Sequence, residues 1–235
     1  MGNSLSSPRE PLEKRRFFVF IEVFFHKFWK LIGLNLLFLL SCIPVVTIGP
    51  ALCAMAYVTR NFAIGKPLFL VSDYWGTFRK NWKQGFIYGL FFCGSLGIVG
   101  GVITLCLPYT AHNPLFQIPL YLCWAVIGVL IIVNFYAPLM IVTLDLPLWD
   151  ILKNAFILSL VALRTNLITM FLVGNLLLAC LYFYPYSAFF VVTILPAFLS
   201  LVASFNSYPI VEKFLILPYA SQQKREDSIF RDSSH

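Results

Sequence analysis

Charged residues are scarce in this chain: Asp, Glu, Lys and Arg make up 11% of 235 residues, against about 25% in an average soluble domain. Hydrophobic residues reach 60%, where about 45–50% is usual. A soluble core of this size needs no such excess, so the surplus faces lipid. Four apolar runs between Gln84 and Tyr208 hold no Asp, Glu, Lys, Arg or His away from their ends, which argues against a proton-driven transporter or a hydrolase with a buried acid. HExxH, GxSxG and Walker patterns are missing as well. The six cysteines (Cys42, Cys53, Cys93, Cys106, Cys123, Cys180) form no CxxC pair and have no His at ligand spacing. They read as small buried hydrophobes, and no metal, cofactor or disulfide is expected. No polar linker is long enough to separate two domains.

The few charges are placed unevenly. Net charge is +7, and basic residues crowd Arg9, Lys14, Arg15, Arg16, Lys27 and Lys30, then Arg60, Lys66, Arg79, Lys80 and Lys83. This pattern suits positive-inside topology and anionic lipid; nucleic acid is not an expected partner. Met1-Gly2-Asn3-Ser4-Leu5-Ser6 fits a loose myristoylation pattern, and Leu39-Leu40-Ser41-Cys42 resembles a lipoprotein box. The sequence after Cys42 is too apolar for a tether, and the apolar run is too long for a cleavable signal peptide.

Four runs are long enough to cross a membrane: Gln84–Leu107, Ile118–Leu144, Leu167–Phe183 and Ala188–Tyr208. Segments 108–117 and 184–187 contain no Lys or Arg and belong outside. Segments 60–83 and 145–166 carry the basic residues and belong inside, and the tail returns inside. His112 falls in the first outside segment.

The first apolar run, Leu31–Thr59, fits this scheme badly. Both flanks are basic, so both want the same side. Its 29 residues would make a helix of about 43 Å, against a hydrocarbon core of about 30 Å. Within it Pro44 disfavours helix at Ile43, and Gly49-Pro50 suits a turn followed by a fresh helix. The expected solution is a hairpin of two short helices, about Phe28–Ile43 and Pro50–Phe62, joined at PVVTIG, that either crosses a thinned bilayer or re-enters. The alternative is one tilted, Pro-kinked helix with the N-terminus outside. Phe17–Trp29, rich in phenylalanine, is expected to lie in the interface ahead of the hairpin.

The expected fold is therefore all-α: four full spans, an N-terminal hairpin and an interfacial amphipathic helix. Residues 1–27 form a polar to amphipathic segment, 28–212 one membrane domain, and 213–235 a polar cytoplasmic tail. The interfacial helix is SDYWGTFRKNWK, 72–83, with Ser72 as cap, Asp73 in the first turn, and Trp75, Phe78 and Trp82 on one face. With Arg79 and Lys83 it makes a surface for lipid or a soluble partner.

Polar groups inside the apolar runs are amides and hydroxyls: Asn35, Asn134, Asn175 and Asn206, with Ser41, Thr47 and Thr104. They serve to bond helices together, or alternatively line a path for a polyhydroxylated solute. Catalysis would have to come from His26, His112, Asp73, Asp145 or Asp150, which form no recognised pair. Two internal echoes occur. Val46-Thr47-Ile48-Gly49-Pro50-Ala51-Leu52 recurs as Val192-Thr193-Ile194-Leu195-Pro196-Ala197-Phe198, and Trp75/Phe78/Arg79/Trp82 as Trp149/Leu152/Lys153/Phe156. Their offsets, 146 and 74, differ, which argues for chance in a biased composition.

Asn35 within LNLLFLL, then Pro44, Thr47, Gly49 and Pro50 within IPVVTIGPA, with Tyr57, Val58, Arg60, Phe78, Asn81, Lys83, Gln84 and Gly85, resemble the YesL-like family of bacterial integral membrane proteins. The resemblance covers about residues 25–90. It implies an uncharacterised protein of the cytoplasmic membrane in bacteria, encoded near carbohydrate-uptake and polysaccharide-degradation genes, with no described catalytic residues. The expected role is accessory to carbohydrate uptake, through an ABC-type sugar permease or sensor component; a facilitator for a small polar solute is the alternative.

Overall fold

A computed structural model describes residues 16–110 and 114–219. The elements are α1 (Arg16–Ser41), a 3-10 turn (Val45–Thr47), α2 (Ile48–Ala63), α3 (Leu70–Lys80), α4 (Trp82–Cys106), α5 (Gln117–Ile141), α6 (Leu148–Val161), α7 (Leu163–Tyr182), α8 (Ser187–Thr193) and α9 (Leu195–Val211), with a π-turn over Glu212–Ile216. No strand occurs among the described residues. Phe18–Ser41, Trp82–Tyr109, Gln117–Ile141 and Leu163–Tyr182 are each long and apolar enough to span a membrane, and Ser187–Thr193 with Leu195–Tyr219 forms a fifth, bent segment. The protein is an all-α polytopic membrane protein.

Three expected spans lie within a few residues of α4, α5 and α7. The fourth is broken: α8 and α9 meet at Ile194 with a bend of 62°. The N-terminal arm also differs from expectation. α1 runs unbroken from Arg16, because Glu22 and His26 share one exposed stripe while Phe20, Phe24 and Phe28, at helical spacing, face inward. It is a full-length helix, and the interfacial segment expected before it is its first half. Turning at Cys42–Val46, the chain brings α2 back against the second half of α1, burying Leu31 and Leu34 with Ala51, Ala54, Met55, Val58 and Phe62. A single kinked helix is ruled out by this packing.

In chain order the structure repeats itself. Each of three units has a long helix, an inner helix with proline in its first three residues, and a shorter helical piece: α1–α2–α3, α4–α5–α6, and α7–α8/α9 with the π-turn. The prolines are Pro50, Pro119 and Pro196, each in the first turn, where an N–H has no acceptor within its own helix. The inner helices α2, α5 and α9 touch one another pairwise, and each packs on the long helix of the following unit: α2 on α4, α5 on α7, α9 on α1. The echoes fall on corresponding elements of this plan: the offset of 74 joins α3 to α6, and that of 146 joins the start of α2 to the start of α9.

α2 is the most enclosed element, with 11 buried residues of 16. At about 24 Å it is shorter than the hydrocarbon core. Its start crosses α4 at a point made of glycine. A Cβ on Gly49 would overlap the Gly85 carbonyl; one on Gly85 would lie 2.8 Å from the Pro50 Cα, and one on Gly89 2.9 Å from the Gly49 Cα. Gly85 and Gly89 form a G-x-x-x-G pair that lets two backbones meet. The hairpin tip therefore sits beside the first two turns of α4, the end bearing Trp82 and Lys83. Gly49→Ala and Gly89→Ala should each destabilise the protein by about 1–3 kcal/mol. Gly97→Ala and Gly101→Ala, with open space around them, should be neutral or stabilise by up to about 1 kcal/mol; unfolding in mixed micelles measures both.

Candidate functional site

The polar groups gather where helices break. Pro196 has no N–H, so the carbonyl of Val192 loses its helical donor. Asn35 of α1 replaces it: Nδ2 donates to the Val192 oxygen at 2.6 Å, and Oδ1 accepts the Ala197 N–H at 3.2 Å. One fully buried side chain thus satisfies both sides of the α8–α9 break. At the α1–α2 break the Thr47 hydroxyl donates toward the carbonyls of Ser41 and Pro44. Ser41 Oγ donates to the Phe38 carbonyl at 2.8 Å, so the Tyr74 hydroxyl, 2.6 Å away, is the donor to Ser41. Burial raises the Tyr74 phenol far above its ordinary range, so it stays protonated. At the α6–α7 break Asn166 Nδ2 donates to the carbonyls of Leu158 and Ser159, and its Oδ1 accepts from the Tyr136 hydroxyl.

Arg60, near the C-terminus of α2, ties that helix to the turn that follows α5. Its guanidinium donates to Thr143 Oγ1 at 2.9 Å and to Asn61 Oδ1 at 3.0 Å, and lies over the Tyr57 ring, 4.9 Å from its centroid. A cation there also complements the helix dipole.

Asn175 and Asn206 line one groove, and Asn134 is set apart from both. Asn134 accepts from the Tyr88 hydroxyl at 2.6 Å, joining α4 to α5, and borders a cavity of about 340 Å³ with Phe38, Met55, Pro138, Ser200 and Ser204. Thr59 Oγ1 donates to the Met55 carbonyl, so Ser200 and Ser204, 3.0 and 2.9 Å away, donate to it. Asn206 Nδ2 donates to Thr169 Oγ1 at 2.9 Å, joining α9 to α7. Asn175, expected inside, is exposed and bonds the Phe171 carbonyl of its own helix. It edges a separate apolar groove between α7, α9 and Phe20 of α1, with Val173 and Leu199 as the shared wall.

The expected interfacial helix is split in two. α3 starts at Leu70, not Ser72; Phe69 is the N-cap, and Asp73 Oδ2 accepts the Phe69 N–H at 2.8 Å. It ends at Lys80, and Trp82 opens α4. Trp75, Phe78 and Trp82 do form one continuous aromatic series, with centroids 5.3 and 5.5 Å apart, but Phe78 is buried beside Tyr74 in the core under α2. Arg79, Lys80 and Lys83 are not buried. Tyr74 and Asn166 are the residues sequence reasoning missed. The i, i+4 spacing of Tyr74 and Phe78 is the available signal for the first, and for the second an asparagine four residues after a helix break.

His26 is exposed with Nδ1 3.2 Å from the Glu22 carbonyl, and no group of three His, Cys, Asp or Glu converges among the described residues. His112 lies outside the described residues. What the arrangement does chemically is join and seal helices. Asn35→Leu should leave a buried carbonyl and N–H unpaired, costing about 2–4 kcal/mol. Hydrogen exchange at Ala197 should rise with it, whereas Asn175→Leu should change neither.

Residues 31–104 match the model of a protein family described as a protein of unknown function, DUF624. The matched stretch runs from the second half of α1 almost to the end of α4, and holds Asn35, the α1–α2 break, the glycine crossing and the α3–α4 corner. No curated protein and no solved structure matches the chain significantly.

Proposed function

We propose that this protein is an accessory of carbohydrate uptake, and that it acts by docking a membrane helix of an ABC-type sugar permease or sensor component against the outer face of α4. The observation that carries the docking is a contrast within one helix. Gly85 and Gly89 are packed on α2, while Gly94, Gly97, Gly100 and Gly101 have nothing within 4 Å. Gly97 and Gly101 repeat the G-x-x-x-G spacing, flanked by exposed Leu90, Ile98 and Leu105. Each glycine costs a helix about 0.5–1 kcal/mol relative to alanine, a cost offset when a second helix approaches closely.

The carbohydrate part rests on the YesL-like resemblance of residues 25–90, which overlaps the family match and is compatible with it. The facilitator reading has less support, because Asn35 spends its amide on the α8–α9 break and Asn134 and Asn175 lie in separate places. Basic residues on both flanks of the first hairpin favour the cytoplasmic membrane with both termini in the cytoplasm; the hairpin then re-enters instead of crossing, since its tip lies beside the start of α4.

Co-purification after crosslinking in native membranes should enrich a sugar permease or sensor subunit. Gly97→Leu with Gly101→Leu should abolish that enrichment while the variant remains folded; recovery of no such subunit with the wild type defeats the reading. For topology, a cysteine-free background carrying Tyr186→Cys should react with an impermeant maleimide on intact cells. Lys83→Cys should react only after permeabilisation.

A further inference from the structure

α3 and α4 are joined at a corner whose charge the bend itself does not require. Asn81 (φ −101°, ψ 17°) separates the two helices. The N–H groups of Trp82, Lys83 and Gln84 open α4 and have no intrahelical acceptor; the first helical bond runs from the Gly85 N–H to the Asn81 carbonyl at 2.8 Å. A cavity of about 400 Å³ opens there, lined by residues 78–84. Three of these, Arg79, Lys80 and Lys83, are solvent-accessible cations, and none bonds or pairs with another described residue. The carboxylate of Asp73 is already engaged by the Phe69 N–H.

The equivalent corner of the second unit supplies a comparison. Ala162 there has nearly the same backbone (φ −101°, ψ 33°), yet it is flanked by Leu160, Val161 and Leu163, with Arg164 as the nearby cation. The same bend forms without a cluster of positive charge, so the three cations at Asn81 serve something other than the fold.

We propose that the α3–α4 corner binds the headgroup of an anionic phospholipid. Its phosphate sits against Arg79, Lys80, Lys83 and the opening N–H groups of α4, where both the fixed charges and the helix dipole favour an anion. A lipid fits better than a soluble anion because the corner leads straight into a lipid-facing helix. α4 continues as an apolar segment, Trp82–Tyr109, with none of its most apolar window buried. Acyl chains can lie along Ile87 and onward, below half-exposed Trp82, whose ring stacks on Phe86 at 6.3 Å and 13°. Tryptophan at that depth belongs to the headgroup zone of a bilayer.

The test uses the full chain in nanodiscs of phosphatidylcholine with a minor share of phosphatidylglycerol, followed by native mass spectrometry of the released protein. The wild type should retain phosphatidylglycerol in preference to phosphatidylcholine. The triple variant Arg79→Gln, Lys80→Gln, Lys83→Gln should retain roughly tenfold less or lower still, while Arg164→Gln should match the wild type. Thermal unfolding checks that the triple variant is folded, and Lys83→Gln alone should show a several-fold loss if it is not. Equal retention by wild type and the corner variants, or an equal loss with Arg164→Gln, overturns the proposal. Displacement of the lipid by inorganic phosphate also overturns it, by assigning the corner to a soluble anion.

Discussion

A backbone N–H or C=O in hydrocarbon has no water to turn to, and this chain interrupts helices that are apolar enough to lie there. An interruption away from water therefore needs a protein group in place of the missing helical bond. Asn35 supplies both a donor and an acceptor across the α8–α9 break, Thr47 and the Ser41–Tyr74 pair close the α1–α2 break, and Asn166 closes α6–α7. No buried side-chain nitrogen or oxygen among the described residues is left without a partner. Of the amides and hydroxyls inside the apolar runs, Asn35, Ser41 and Thr47 are consumed in this way, while Asn134 and Asn206 join neighbouring helices. That explains how a chain with so few charges keeps a defined, non-parallel arrangement of helices: each clamp is directional, where apolar contact alone is not.

The second organising constraint is close approach. α2 is enclosed by its neighbours, and at Gly49 two backbones meet with no side chain between them. A threefold recurrence of long helix, inner helix and short helix builds a centre from α2, α5 and α9, each leaning on the next unit. The units are alike in plan and unlike in detail. Among the described residues the glycine crossing and the cationic corner occur only where the first unit meets α4, and the family match runs from the second half of α1 through most of α4. The outer stretch of α4, where four glycines meet nothing, then stands out as a surface left over from intramolecular packing.

Much of the fold is legible in the sequence because its signals are local. Length and hydropathy place α4, α5 and α7 to within a few residues, and basic flanks with Pro44 and Pro50 foretell the reversal after α1. The misses share a cause. Pro196 stands in the same seven-residue pattern as Pro50, yet its run looks like one span, because hydropathy is blind to a missing hydrogen bond. The echoes look accidental when their offsets are compared as equals; in the fold they fall on corresponding elements. An asparagine in an apolar run suggests burial, but whether Asn175 faces inward depends on the rotation of α7, which its own residues leave open. Tyr74 is overshadowed by three more conspicuous aromatics beside it.

Composition, hydropathy and the placement of charge determined by themselves that this is a polytopic helical membrane protein, and where its chain must turn, since partition into lipid and helix breaking depend on short stretches of sequence. Only the tertiary structure decided that Asn35 bonds a break more than 150 residues away, that Gly49 meets Gly85 and Gly89, and that Gly97 and Gly101 meet nothing. Those facts depend on which faces of distant helices are turned toward each other, and that is settled by packing the whole bundle at once.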